Sequence, residues 1–247
     1  PYANSVSVNG DKGYVLDINE KSTKPIGFTN HPIPILSEKD DSIIYEMHIR
    51  DFTIDESSGV INDLRGTYLG AVEENTIYKN PYNGKCVKTG IEHLCELGIT
   101  HVHLMPIFDF GSVDERFPGS NNRNWGYDPK NFNVPEGSYC SNPYNPVTRI
   151  LELRQMIMKF HERGIRVVMD MVYNHTYNLE SPLNITVPGY YYRQDQYGNY
   201  SNGSGCGNET ASERYMYRKY MIDSVLYWVK EYHIDGFRFD LMGLHDL

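Results

Sequence analysis

The chain has 247 residues, 40% of them hydrophobic and 22% charged, a composition that supports a packed core and excludes a disordered or fibrous chain. A net charge of -9 without any basic run argues against a nucleic-acid partner, and no apolar stretch approaches the roughly 20 residues of a membrane helix. Cys86, Cys95, Cys140 and Cys206 are widely spaced, form no CxxC pair and read as free thiols, while 21 tyrosines suit the apolar face and polar rim of a sugar as well as they suit a core.

The opening "PYANSVSVNGDKG" lacks the charged and apolar regions of a signal peptide and has no initiator Met, so the chain reads as a piece of a longer protein whose compartment it leaves open. From Ser42 strand and helix signals alternate. "SIIYEMHIRDF" (Ser42 to Phe52) predicts a first strand, and "VKTGIEHLCELGI" a helix with Val87, Ile91, Leu94 and Leu97 near helical spacing. "THVHLMPIF" predicts a second strand, and "VTRILELRQMIMKFHERGI" a helix stopped by Gly164. "RVVMDMVYN" follows as a third strand. After a long polar loop, "ASERYMYRKYMIDSVLYWVKEYH" predicts a helix with Tyr217, Met221, Val225 and Trp228 on one side, leading into a fourth strand, "IDGFRFD".

That order implies parallel pairing with right-handed crossovers, an α/β domain that is either a barrel or a doubly wound sheet. No GxGxxG or GxxxxGK[ST] follows any strand, which removes the main support for a nucleotide-binding sheet. Polar residues gather instead at the carboxyl ends of the strands, as in a barrel. His48, Arg50 and Asp51 end the first, Asp109 follows the second, Asp170, Asn174 and His175 end the third, and Arg238 and Asp240 end the fourth.

"GFRFDLMG" (Gly236 to Gly243) carries the sharpest chemistry. Strand alternation sends Phe237 and Phe239 to one face and Arg238 and Asp240 to the other, so the two charges are neighbours. A buried ion pair or a strand end reaching water would explain them equally well on this window alone. A second strand ending in Asp170, Val172 and Asn174, with His175 just beyond, makes a polar pocket that stability alone would not favour.

"DMVYNH" (Asp170 to His175) and "GFRFDLMG" resemble two signature regions of the alpha-amylase superfamily of glycoside hydrolases. "YEMHIRDFT", "NWGYDPKNFNVPEGSY" and "GCGNETASER" narrow the resemblance to type I pullulanases, which debranch α-glucans. The resemblance implies the first half, about four βα units, of a (β/α)8 TIM barrel with long βα loops over residues 42–247, ending after the fourth strand. Residues 1–41 then correspond to a linker or the tail of a preceding accessory domain.

Position by position, the resemblance makes Asp240 the catalytic nucleophile and Arg238 the arginine that keeps it ionised. Asp170 and His175 match residues that bind the sugar at the cleavage point, and Tyr127 matches the aromatic on which that sugar stacks. Asn174 matches a structural asparagine that is a calcium ligand in some relatives; no cofactor is required, and this sequence does not itself support calcium. Leu241, Met242 and Gly243 stand where alpha-amylases commonly carry a glucose-binding Ala-x-Lys-His, which implies a different acceptor side.

The implied reaction is retaining hydrolysis of α-1,6 branch linkages in pullulan and related α-glucans, so the expected partner is a polysaccharide or oligosaccharide. Its general acid, a Glu on a fifth strand in the family, is missing from these residues, so this piece by itself is expected to be inactive. Glu231, His233 and Asp235 lie at the opposite end of the fourth strand, and Glu209 and Glu213 read as a cap or a substrate contact. Isoamylase-like debranching, glucan branching and non-catalytic glucan binding are the alternatives. A metal-dependent barrel hydrolase would need an HxH on the first strand, whereas His101 and His103 lie on the second and read as barrel wall.

Overall fold

In the computed structural model, which describes residues 3–117 and 123–245, β1 (Ile44–Met47) runs into a short helix, α1 (Ile49–Thr53). A hairpin, β2 (Ile77–Lys79) and β3 (Cys86–Lys88), leads to α2 (Gly90–Glu96) and β4 (His101–Leu104). A second hairpin, β5 (Phe108–Phe110) and β6 (Pro129–Pro135), precedes α3 (Thr148–Glu162) and β7 (Arg166–Met171). The chain then passes through α4 (Pro182–Thr186) and α5 (Tyr215–Tyr232) into β8 (Gly236–Phe239).

Strands β1, β4, β7 and β8 form one four-stranded parallel sheet in that order, each paired with the next, as expected for the first half of a (β/α)8 barrel. The register sets Glu46 opposite His103 and Asp170 opposite Arg238. The ends of β1 and β4 lie level, as do those of β7 and β8, which reach two residues further. The helices pack outside. On α3, Leu153, Met156, Ile157 and Phe160 recur at helical spacing and are fully buried against Val102, Val167 and Met169. Such side chains contribute about 1.5–3 kcal/mol each. Trp228 of α5 is fully buried and donates its indole N–H to the Phe132 carbonyl at 3.0 Å, tying the helix to β6.

The predicted elements are present, with three boundaries moved. The first strand stops at Met47 because His48 caps a helix, its Nδ1 accepting from the Asp51 amide at 3.2 Å. Arg50 and Asp51 therefore lie on α1 and not on a strand. The helix predicted from Val87 to Leu97 is shorter: Val87 pairs in the β2–β3 hairpin and is exposed, as is Leu97, and glycines at positive φ, Gly90 (56°) and Gly98 (69°), bracket α2. Phe108 leaves the second strand and joins Asp109 in β5. By contrast α3 ends beside Gly164 as expected, with φ 76° and the Ile165 amide returning to the Phe160 carbonyl at 2.9 Å.

Residues 3–41 contain 3₁₀ turns and one isolated bridge but no strand or α-helix among the described residues, and they are strapped to the sheet domain by specific contacts. Arg154, fully buried on α3, donates from Nη1 to the carbonyls of Ile18 (3.1 Å) and Thr23 (2.9 Å). Asn9 exchanges hydrogen bonds with Glu115, its amide donating to Oε2 at 2.6 Å and its Oδ1 accepting from the Glu115 amide at 2.9 Å. Among the described residues the four cysteines are unpaired, and no helix is long and apolar enough to cross a membrane.

Candidate active site

At the carboxyl ends of the parallel strands lies a cleft of about 690 Å³ lined by Glu46, His48, Trp125, Tyr127, His175, Arg238, Asp240 and Leu241, among others. A larger groove of about 960 Å³ runs beside β1 and β3, yet it contains none of Tyr127, His175, Arg238 or Asp240. The convergence of charge chooses the smaller cleft.

Asp240 follows the last residue of β8, and its amide continues the sheet ladder by donating to the Met171 carbonyl at 2.9 Å. Its side chain is mostly shielded, while Arg238, two residues earlier on the same face, is exposed at its outer side. One guanidinium nitrogen, Nη1, forks: it lies 2.9 Å from Asp240 Oδ1 and 3.0–3.1 Å from both oxygens of Asp170. Asn174 holds the other side of Asp240, Nδ2 donating to its carbonyl at 3.0 Å and to Oδ2 at 3.1 Å. Both carboxylate oxygens of Asp240 are thereby aimed. The residue after it, Leu241, is in the left-handed region (φ 45°, ψ 43°), a conformation costly for a γ-branched side chain, and this turn points Leu241 into the cleft.

Asp170, expected among the sugar-binding residues, has no exposed side-chain surface. It accepts from Arg238 and from the Tyr127 hydroxyl at 2.8 Å. Tyr127 is half-buried, and its phenol titrates well above the ordinary range because burial and the Asp170 carboxylate both oppose the phenolate. His175 is buried, with Nδ1 2.6 Å from Asn174 Oδ1 and Nε2 2.8 Å from the Tyr127 carbonyl; burial pushes its pKa down despite that carbonyl. Asn174 thus bridges His175 to Asp240. The structure brings all six sequence-predicted residues into one connected network.

Other expectations change. Asp109, read as part of the rim, is buried on β5 with Glu115, Glu136 and Arg149, whose Nη1 lies 3.5 Å from Asp109 Oδ1 and 3.0 Å from Glu115 Oε1. Burial, then Glu115, pushes Asp109 up to about 7 against the opposing charge of Arg149. These three carboxylates are close enough to share a cation, but the Arg149 guanidinium already fills that role. Glu209 braces the β7–α5 loop, pairing with Arg193 and accepting from the Ser201 hydroxyl at 2.9 Å and the Gly203 amide at 2.6 Å. Asn174 has both ends of its amide engaged, by Asp240 and His175.

Sequence reasoning missed His103, Glu46 and Trp125. His103 sits in the barrel interior, 3.5 Å from Asp170 Oδ2 and 3.9 Å from Glu46 Oε1, rather than in the wall. Period-two alternation along "YEM" and "HVHL" was the available signal, because residues that alternate with buried Met47, Val102 and Leu104 must face the lumen. Trp125 lies two residues before Tyr127 and is exposed in the same cleft.

Residues 84–183 match the alpha amylase catalytic domain family. The chain is 49% identical over its full length to pullulanase of Bacillus subtilis (strain 168), covering 32% of it, and 36% identical over 99% of its length to isoamylase 3, chloroplastic, of Oryza sativa subsp. japonica, also covering 32%. Among solved structures, pullulanase from Paenibacillus barengoltzii in complex with maltohexaose and alpha-cyclodextrin superposes with a TM-score of 0.93 at 50% identity, over the whole of this chain and 37% of that one. The chain spans about a third of the length of these relatives. Its parallel βα units, its cleft at their carboxyl ends and these similarities agree, and the chain belongs to the alpha-amylase family and to the pullulanases within it.

Proposed function

We propose that the protein carrying this chain hydrolyses α-1,6 branch linkages of pullulan and related α-glucans with retention of configuration, Asp240 being the nucleophile. The observation that carries the reading is the fork of Arg238 between Asp240 and the buried Asp170, which aims a carboxylate at a solvent-open cleft. In this mechanism Asp240 attacks the anomeric carbon, a covalent glycosyl-enzyme forms as the branch oxygen departs, and water releases the sugar in a second displacement.

Tyr127 offers its ring to the sugar bound beside Asp240, and His175 closes the same subsite. The departing oxygen needs a proton from a second carboxyl group roughly 5 Å from the first. Among the described residues Asp170 is the other carboxylate on Arg238, and its burial keeps it from that task. By the family resemblance, in which the acid is a Glu on a fifth strand, the acid is assigned to a residue beyond these 247, residues 42–247 to the amino-terminal half of the catalytic barrel, and residues 1–41 to the approach from a preceding domain. Crystallisation of the Paenibacillus relative with maltohexaose supports an α-glucan as ligand. Isoamylase-like debranching is the second reading, favoured by the similarity to isoamylase 3.

Product analysis tests both. The full-length protein should release maltotriose from pullulan, and Asp240→Asn should abolish that release while the protein still binds maltooligosaccharides. Activity on glycogen branches with none on pullulan would favour the isoamylase reading. A folded Asp240→Asn protein with wild-type turnover would remove Asp240 from the mechanism.

A further inference from the structure

Far from the cleft, at the amino-terminal ends of the strands, three side chains from distant parts of the chain line up. His31 Nδ1 lies 2.6 Å from the Phe28 carbonyl, and its Nε2 lies 2.7 Å from Nδ1 of His161 on α3. His161 Nε2 lies 2.8 Å from Asp235 Oδ2, and the same Oδ2 accepts from the Val167 amide at 2.7 Å. His161 is fully buried at its side chain, Asp235 nearly so.

The proton count of this row is forced by its ends. A carbonyl accepts, so His31 Nδ1 must donate. A carboxylate oxygen that already accepts from an amide accepts again, so His161 Nε2 must donate. The contact between the rings then needs one further proton, three in all for two imidazoles that hold one each when neutral. We propose that the His31–His161 pair holds one excess proton, balanced by Asp235, and that this shared proton makes a pH-sensitive latch fastening the segment before β1 to the base of the barrel.

The surroundings oppose a second proton on the pair. Burial pushes the pKa of His31 down and the neighbouring His161 adds to that push, while the Phe28 carbonyl, then Glu162 and Asp235, oppose it. His233, stacked on the Phe28 ring at a centroid distance of 4.6 Å and 4.9 Å from the His31 ring, is pushed down to about 4 by burial and by His31, His161 and Arg154, so it stays neutral beside the pair. Arg154 also lies over the Phe28 ring, and on the β4 side His101 senses Asp235 and Arg166 and is itself lowered by burial.

The sign follows from linkage. Above the ordinary imidazole pKa of about 6.5, the open pair holds no excess proton, so closing takes one up and weakens about tenfold per pH unit. Below about 6.5 the open pair gains up to two, so closing releases one and again weakens. Hold is greatest near neutrality. The two flanks separate this device from a single histidine ion pair, which would tighten steadily on acidification through the imidazole range.

Histidine side-chain nitrogen NMR on the intact protein reads the proton directly. At pH 7 His161 should show two protonated nitrogens and His31 an Nδ1–H tautomer; a neutral His161 with a bare nitrogen would overturn the proposal. Limited proteolysis within residues 11–41, normalised to an unfolded peptide, should pass through a minimum near neutral pH and rise on both sides. His31→Gln should cleave faster and lose the two-sided pH dependence, whereas Phe28→Ala should cleave faster and keep it. An unchanged pH profile in a folded His31→Gln protein would also overturn the latch.

Discussion

Asp240 owes its orientation to contacts on two sides, Arg238 on one oxygen and Asn174 on the other, so isosteric replacement tests charge rather than shape. In the full-length protein Asp240→Asn should lower turnover by about 10³–10⁴-fold with an unchanged melting profile, measured by reducing-sugar release and thermal denaturation. Tyr127 is a subtler case. As a stacking ring alone it would tolerate phenylalanine, yet its hydroxyl donates to the buried Asp170 that anchors Arg238. Removing a hydrogen bond to a charged acceptor costs about 1.5 kcal/mol or more, so Tyr127→Phe should lose roughly tenfold in kcat/KM, mostly in kcat, and Tyr127→Ala should lose more in both kcat and KM. Equal KM and kcat for Tyr127→Phe and wild type would show that Arg238 alone suffices to hold Asp170. The alternation of "GFRFD" already put Arg238 beside Asp240, whereas the Tyr127–Asp170 bond joins residues 43 apart and was not legible.

Among the elements, the β5–β6 hairpin matters because it carries the loop with Tyr127, and its base is held by the carboxylates around Arg149. Replacing Arg149 with Met leaves those carboxylates buried without their cation and should destabilise the intact protein by about 3–5 kcal/mol in chemical denaturation. Asp109 adds a pH dependence. Its folded pKa, about 7, lies above the ordinary 3.8, so the folded state keeps a proton that the unfolded chain gives up. Stability from this group is therefore present at low pH and declines as pH rises from about 4 to about 7. Asp109→Asn should flatten that interval of the stability–pH curve; an unaltered slope would show that Glu136 or Glu115 carries the proton. The sequence placed Asp109 on the rim because it follows a strand, and missed the break at residues 105–107 after which a new hairpin starts. Helix boundaries failed for a related reason. Val87 fits the helical period with Ile91, but a positive φ at Gly90 and pairing to Tyr78 take it into a strand.

For the whole molecule, β1 and β8 each have one neighbour in the sheet among the described residues, and apolar side chains stand uncovered beside them. Ile43 and Ile44 are more than half exposed at the β1 edge, and Ile222, Leu226 and Val229 repeat along an exposed stripe of α5. Open edges flanked by apolar surface invite pairing with other chains. Residues 1–247 expressed alone should self-associate, with light scattering showing species larger than 28.6 kDa, and the purified material should not release maltotriose from pullulan. A stable monomer would mean that these edges are protected, and a hydrolytically active one would place a general acid inside this chain.

What the sequence by itself determined is local and periodic. Alternation placed Arg238 and Asp240 on one face, helical spacing found the buried stripes of α3 and α5, and the βα order with polar residues at strand ends pointed to a barrel, because each depends on neighbours a few residues apart. Only the tertiary structure decided which of those polar residues meet. The Arg238 fork reaches Asp170 across 68 residues, and His31 meets His161 across 130. Such contacts depend on strand register, crossover path and the depth to which each side chain is buried. No local period encodes these, so Asp170 and Asp109 read alike as acids of the polar rim at strand ends, and only packing showed one beneath the cleft and the other sealed against Arg149.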